Sequence, residues 1–452
     1  MARSFKSVDY EKSGQQTVTI DDCLPAGHLA RFIVGMVSIL DLSVIYAQYG
    51  PVGGEPYRPE VLLGLLMYGY ATGVFSSRQV EKGTYEAIPF RFIAGGLHPD
   101  HDTLAHFRKT FLAEFVAVFA QVLVVAHELG YLQLGHISVD GSKIHADASK
   151  SQAVSYGYLP KLEQRLQAEV EELVRLGEKA DGGDLPEGLN LETEMGMRQE
   201  RLFNLAQART VLEARAQERY TLEQAAYEAK MQARAERAKE TGRKPGGRAP
   251  HPPVSGPRDQ DQYNFTDPDS RIMKNSTNKG FDQHYNVQAA VEQESLLIVA
   301  PTLSNHPVDT NEAIPTVDAI PAQLGHPTAA AMDRNYFSPA NIKEFEARGI
   351  DPYIATGREP HHRNWRQFFA QAPEPPVEQA SPIVKMAYKL QTNIGRAIYR
   401  LRKCTVEPVL GIIKEVMGFR QFSLRGLTAA AGEWCLVCLA YNLKRLHTLM
   451  SR

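Results

Sequence analysis

Cysteine is scarce in this chain: Cys23, Cys404, Cys435 and Cys438 are its only four in 452 residues. That is too few for a disulfide framework at this length, and it fits a reducing compartment. Cys435 and Cys438 have the spacing of half a zinc site. However, no second Cys/His pair stands near them, and the run from Trp434 to Leu443 is apolar almost throughout, so ordinary core thiols are expected. Long hydrophobic runs are missing too. The most apolar stretch, Phe111 to Leu132, is interrupted by Glu114, Gln121, His127 and Glu128, which predicts a buried helix and no membrane association. The first residues, MARSFKSVDYEKSGQQ, lack the apolar centre of a signal peptide. Charge of one sign is also lacking: 50 Lys and Arg against 52 Asp and Glu leave a net charge of -2. This excludes a uniformly basic nucleic-acid binder but not a bipolar one. A hydrophobic share of 43% and a charged share of 23% exclude a disordered, collagenous or membrane-embedded chain. A soluble protein of about three domains is expected at roughly 150 residues each.

Residues 1–125 read as an all-helical N-terminal domain, serving DNA-end binding or dimerisation. Pro59 and Glu60 open an apolar run that stops at Gly73, and Ser76-Ser77 caps a second helix beginning RQVEK. Two short helices joined by a tight turn suit a DNA-reading helix-turn-helix, but they suit a packing or dimerisation module equally well, since Glu81 and Glu86 stand beside Arg78 and Lys82. His98, His101 and His106 lie close together in sequence; Asp102-Thr103 as a helix cap is the better account of that segment. From His136 the pattern becomes a strand, HISVDGSKIHA, with a turn predicted at Asp140-Gly141. A Leu/Ala/Glu/Arg-rich helical hairpin or coiled coil follows from Lys161 to about Glu240, broken at Asp181 to Leu189, and then a basic Pro/Gly linker from Arg243 to Arg258. Such a hairpin is more often structural or oligomerising than a direct DNA contact. Beyond it, HYNVQAAVE and SLLIVAPTL form a predicted hairpin, and AAAMD and DPYIATGR are two strands joined by the helix FSPANIKEFEARG. The fold expected is α/β: a mixed sheet with flanking helices over residues 126–150 and 263–452, interrupted by a helical insertion at 151–262.

The near-neutral total conceals a basic tail. From Lys385 to Arg452 there are twelve Lys and Arg against three acids, Glu407, Glu415 and Glu433, the balance a phosphate-backbone contact needs. A helix is expected between Ile398 and Gly418. At roughly 100° per residue from Arg400, the residues Lys403, Glu407 and Lys414 share its arc of about 60°, while Leu401, Val409, Ile412, Ile413 and Val416 fall opposite. Pro408 is expected to kink or restart this helix. By itself the stripe reads as a solvated face with a Glu-Lys pair. Two upstream acids change that reading: Asp140 and Asp333 each end a short apolar strand, so strand ends can aim carboxylates rigidly at the glutamate. Three converging carboxylates can hold two divalent cations about 3.5–4 Å apart, Mg²⁺ or Mn²⁺ by their oxygen donors, as phosphodiester cleavage requires.

These blocks resemble the DDE transposases of bacterial insertion sequences, whose catalytic core is RNase H-like. The likeness lies in VDGSKIHADASK, the segment DPDSRIMKNSTNKGFDQHYNVQAAVE, the region of Asp333 through NYFSPANI, RKCTVEPVLGIIKEVMGFRQFSLRGL, and the helical stretch 58–110. The resemblance implies Asp140, Asp333 and Glu407 as the catalytic, metal-holding triad with Lys414 as a DNA-phosphate contact. The family's Y-(2)-R-(3)-E-(6)-K spacing fits Glu407 and Lys414 but places its tyrosine on Arg400 and its arginine on Lys403; Tyr399 and Arg402 stand one residue away. Arg400, Arg402, Lys403 and, more weakly, Arg358 are the further DNA-contact candidates. The implied activity is binding of the element's terminal inverted repeats, strand cleavage and transfer to target DNA, carried out by a homodimer on the bacterial nucleoid in the cytoplasm, with no small-molecule substrate. An endonuclease without strand transfer and a non-catalytic DNA-binding protein are the alternatives.

Overall fold

The computed structural model describes residues 19–50, 55–180, 189–241, 249–274, 280–357 and 374–451. Seven helices come first among them: α1 (Leu29–Ser38), α2 (Ser43–Tyr46), α3 (Pro59–Thr72), α4 (Ser77–Glu86), α5 (Ile88–Ile93), α6 (His101–Thr110) and α7 (Glu114–Glu128). Pro59 sits at the start of α3, and Gly73 ends it at φ 84°, a left-handed value glycine adopts without strain. α3 is buried on nearly every side and packs against α1 and the last helix of the chain, so it is a core helix. The cap of α6 is Asp100, which accepts from the Thr103 amide at 2.8 Å. The cap is not the expected Asp102-Thr103: Pro99 holds the preceding chain extended and leaves Asp100 as the last non-helical residue, with both carboxylate oxygens turned to Thr103. No single described helix is long and apolar enough to cross a membrane.

The sheet begins with β1 (His136–His145). At the neck of the insertion, β2 (Ala153–Ser155) pairs with β3 (Gln262–Asn264). Between them, α8 (Leu159–Ala180) and α9 (Leu191–Thr241) form the expected hairpin around a small apolar core that includes Leu159, Leu166, Leu205 and Leu212. The sheet continues with β4 (Arg271–Lys274), β5 (Phe281–Glu292) and β6 (Ile298–Ser304), then α10 (Ala313–Asp318), β7 (Ala329–Met332), α11 (Pro339–Ala347) and β8 (Asp351–Ile354). The strand order is β4-β5-β1-β7-β8, with β6 also on β5. β5 runs antiparallel to β1, β4 and β6, whereas β7 and β8 run parallel to β1 and to each other. This is the mixed sheet of an RNase H-like fold. The chain ends in α12 (Pro382–Lys389), α13 (Asn393–Gly411), a π-helical turn at Ile412–Val416 and α14 (Leu427–Met450).

Two local expectations change. Asp140-Gly141 is not a turn: β1 runs through it, with Asp140 opposite Ala289 and Gly141 opposite Gln288. The missing Cβ permits this, because a Cβ on Gly141 would stand 2.3 Å from Gln288 Nε2. Pro408 does not restart the helix at Glu407: α13 continues through it to Gly411, and a π-helical turn follows at Ile412–Val416. α14 is buried over most of its length and packs on α3, α7 and β6, joining the N-terminal helices to the sheet in one continuous core.

Candidate active site

The site is built where α13 crosses β1. Alternate residues of β1 project to one face of a sheet, and Ser138, Asp140 and Ser142 meet α13 and its π turn in sequence. Thr405 Oγ1 donates to Ser138 Oγ at 2.7 Å, Arg402 Nη1 to Asp140 Oδ2 at 3.1 Å, and Lys414 Nζ to Ser142 Oγ. Gln293 Nε2 ties the start of the same row, donating to Ser138 Oγ at 3.0 Å and to the Ile398 carbonyl at 3.3 Å. The helix therefore lies on the strand through a fixed polar ladder.

Asp140 and Asp333 come together through strand register. β1 and β7 are parallel with Val139 opposite Met332, so the next residue on each chain is an aspartate. Asp140 lies inside its strand, while Asp333 leaves the end of β7 and caps a short turn, its Oδ1 accepting from the Asn335 amide at 2.8 Å. Glu407 comes from the exposed side of α13, and Arg402 Nη2 reaches its Oε1 at 3.1 Å. One guanidinium thus spans Asp140 and Glu407. Burial pushes the Asp140 carboxyl up to about 7; Asp333 and Glu407 add to the rise, and Arg402 and the Gly141 amide oppose it. Burial also raises Asp333, against the Asn335 amide and Arg402. For Arg402, burial disfavours the charge, but Tyr399, Asp140 and Glu407 outweigh it and hold the guanidinium protonated.

The basic candidates separate. Arg400 and Lys403 lie exposed on the same side of α13 as Glu407. Arg402 is buried among the acids instead, where the wheel foretells it: at roughly 200° from Arg400 it falls inside the apolar arc. Lys414 leaves the outward stripe, because the wider i→i+5 turn shifts its phase, and its ammonium also donates to the Lys143 carbonyl at 3.0 Å. Burial lowers its pKa, with Arg420 and Lys143 adding to the fall. Leu401 and Val416, expected in the apolar arc, are exposed. Arg358 lies outside the described residues.

Sequence reading missed the floor of the site. Asp309 Oδ1 accepts from Asn286 Nδ2 at 2.8 Å and from Gln288 Nε2 at 3.0 Å, and Lys143 Nζ stands 3.5 Å away. Tyr336 donates to Gln288 Oε1, and its hydroxyl pKa is pushed far up by burial and then by the repulsion of Asp140 and Asp309. The only prior signal was alternation in YNVQAAV, which leaves Asn286 and Gln288 on one face. The three histidines near residue 100 are not gathered: His98 stacks on Tyr85 and His101 Nδ1 is 2.7 Å from Glu81 Oε2. Cys435 and Cys438 are buried core thiols, and burial pushes that of Cys435 up to about 12.

The mixed sheet with flanking helices, and acids gathered where α13 crosses β1, place the chain in a class: RNase H-like proteins. Residues 250–443 match the transposase DDE domain, and residues 18–110 match the transposase domain DUF772. The chain belongs to the DDE transposases of insertion sequences, and with them to the enzymes of DNA transposition. The first of these stretches contains Asp333, Glu407 and Lys414 and begins beyond Asp140. No curated protein and no solved structure matches the chain. The family implies DNA binding and use of a divalent metal. The donor set here, three carboxylates, has the hard oxygen chemistry such a cation takes. Among the described residues, though, no three metal-binding side chains are drawn up as a ready cage.

Proposed function

We propose that this transposase binds the terminal inverted repeats of its own insertion sequence, cleaves DNA at their ends and transfers the freed 3′ ends to target DNA, with Asp140, Asp333 and Glu407 as its catalytic triad. The observation that carries the reading is the juxtaposition of the three acids: equivalent positions on two parallel strands for Asp140 and Asp333, and a shared guanidinium for Asp140 and Glu407. Two Mg²⁺ or Mn²⁺ ions held by these carboxylates would supply Lewis-acid activation of water and stabilise a leaving oxygen. The chain's own contribution is positional. β1 and β7 hold two acids rigidly, α13 presents the third, and Arg400 and Lys403 on the outward face of α13 hold the phosphate backbone beside it. Lys414 binds a phosphate at the Ser142 end of the same row.

In the proposed division, residues 1–125 bind DNA ends or dimerise, the hairpin at 151–262 serves assembly, and the working form is a homodimer bridging two DNA ends. The test is cleavage of DNA carrying the ends that flank this gene, with Mg²⁺ or Mn²⁺. Asp140→Asn, Asp333→Asn and Glu407→Gln are expected to bind the ends and fail to cut. Cutting retained in Asp333→Asn would overturn the triad, and cut but never joined products would overturn strand transfer.

A further inference from the structure

Arg402 was a DNA-contact candidate on sequence, yet its guanidinium lies buried inside the acid cluster, 3.1 Å from Asp140 Oδ2 through Nη1 and 3.1 Å from Glu407 Oε1 through Nη2. Its stem is anchored on the buried face of α13, and the guanidinium stands 5.8 Å from the centre of the Tyr399 ring. A planar fork with donors on both sides suits two carboxylates at once, in a fixed geometry that the point charge of an ammonium does not impose. The two carboxylates it engages are also ones the triad reading assigns to a cation. A small divalent ion sits about 2.0–2.1 Å from its oxygen ligands, and a charge-assisted hydrogen bond to the same oxygen competes for its lone pairs and repels the incoming charge. Asp333 stands outside the fork: its Oδ1 accepts from the Asn335 amide.

We propose that Arg402 is an exchangeable counter-ion of the catalytic acids: it joins Asp140 to Glu407, and a divalent cation must displace it from Glu407 to bind. The inference rests on the proposed triad. It assigns Arg402 a role in metal loading, with the guanidinium giving up one carboxylate as the cation takes it. Asp333, outside the fork, offers the cation its first carboxylate before the exchange is complete.

Mn²⁺ binding by the full-length chain without DNA, followed by the loss of the free-ion EPR signal, tests this on the wild type, Arg402→Gln, Arg402→Lys and Asp333→Asn. Arg402→Gln is expected to bind Mn²⁺ about tenfold more tightly, the gain expected when one charge-assisted contact no longer has to be broken. Arg402→Lys keeps the charge but not the fork, and is expected to fall between it and the wild type; should the glutamine variant not fold, this comparison stands in its place. Mn²⁺ affinity equal to or weaker than wild type in both arginine variants, with Asp333→Asn weakened, would overturn the exchange alone and leave Arg402 a positioning residue. Unchanged affinity in Asp333→Asn would overturn the triad and the exchange together.

Discussion

At the residue scale, the same side-chain types serve opposite ends according to what surrounds them. Arg402 and Lys403 are neighbours in sequence; one is buried between two acids and the other lies on the outward face. Outward cations that touch phosphate act through counter-ion release. Arg400→Ala and Lys403→Ala are therefore each expected to weaken binding of all DNA sequences alike and to reduce the slope of log K against log salt by about one, as a salt titration of binding would show. His284 supports a second prediction. Burial, with His145 and Lys414 nearby, lowers its pKa to about 4, below the free value of roughly 6.5. Between those values the native state holds fewer protons than the unfolded chain, so this contribution is present at neutral pH and is lost as pH falls. Asp140, raised to about 7, acts in the opposite sense across an overlapping window. Comparing the wild type with His284→Gln cancels it: by urea unfolding at pH 7 and pH 5, the wild type is expected to lose about 2 kcal/mol more than the variant.

At the scale of elements, the site depends on how closely β1 and β5 approach. Gln288 is held by Tyr336 and Asp309, and it occupies the space that a Cβ on Gly141 would need, 2.3 Å from its Nε2 and 3.0 Å from Asp309 Oδ1. A flexible amide end can shift, but this one would have to give up its partners to do so. Gly141→Ala is expected to cost about 1–3 kcal/mol of stability in denaturant unfolding and to reduce cleavage, since the residue adjoins Asp140. The π turn is the second decisive element. Without it, Lys414 would remain on the stripe with Arg400, Lys403 and Glu407; with it, the ammonium meets Ser142 on β1.

At the scale of the whole molecule, the N-terminal helices meet α14 at a buried acid. Glu433, fully buried on α14, accepts from the Tyr70 hydroxyl at 2.9 Å, the Ser423 amide at 2.8 Å and the Leu424 amide at 3.0 Å, while Arg108 donates to that same hydroxyl at 2.9 Å. Tyr70 belongs to α3 and Arg108 to α6, so the network crosses from the N-terminal helices to the end of the chain. Glu433→Ala would leave the Tyr70 hydroxyl and the Ser423 and Leu424 amides without their acceptor and is expected to destabilise the protein by about 3–5 kcal/mol.

Much was legible from local signals. The hydrophobic period marked α3, α8, α9 and α13; Pro59 and Gly73 bounded a helix; alternation and apolar runs marked β1, β5, β6, β7 and β8, because backbone propensity and side-chain period act over a few residues. The three acids were nominated by residue type, position and family resemblance. Short strands such as β2, β3 and β4 carried no usable period, and the run through Asp140-Gly141 depended on a partner strand more than a hundred residues away. The sequence by itself determined the longer helical and strand segments, the basic tail and the class of chemistry its residues suit. Only the tertiary structure decided which of them meet: the parallel register aligning Asp140 with Asp333, the burial of Arg402 between acids, the turn of Lys414 toward β1 and the Asp309 floor. Each is a contact between residues far apart in the chain, set by strand register and helix phase after folding.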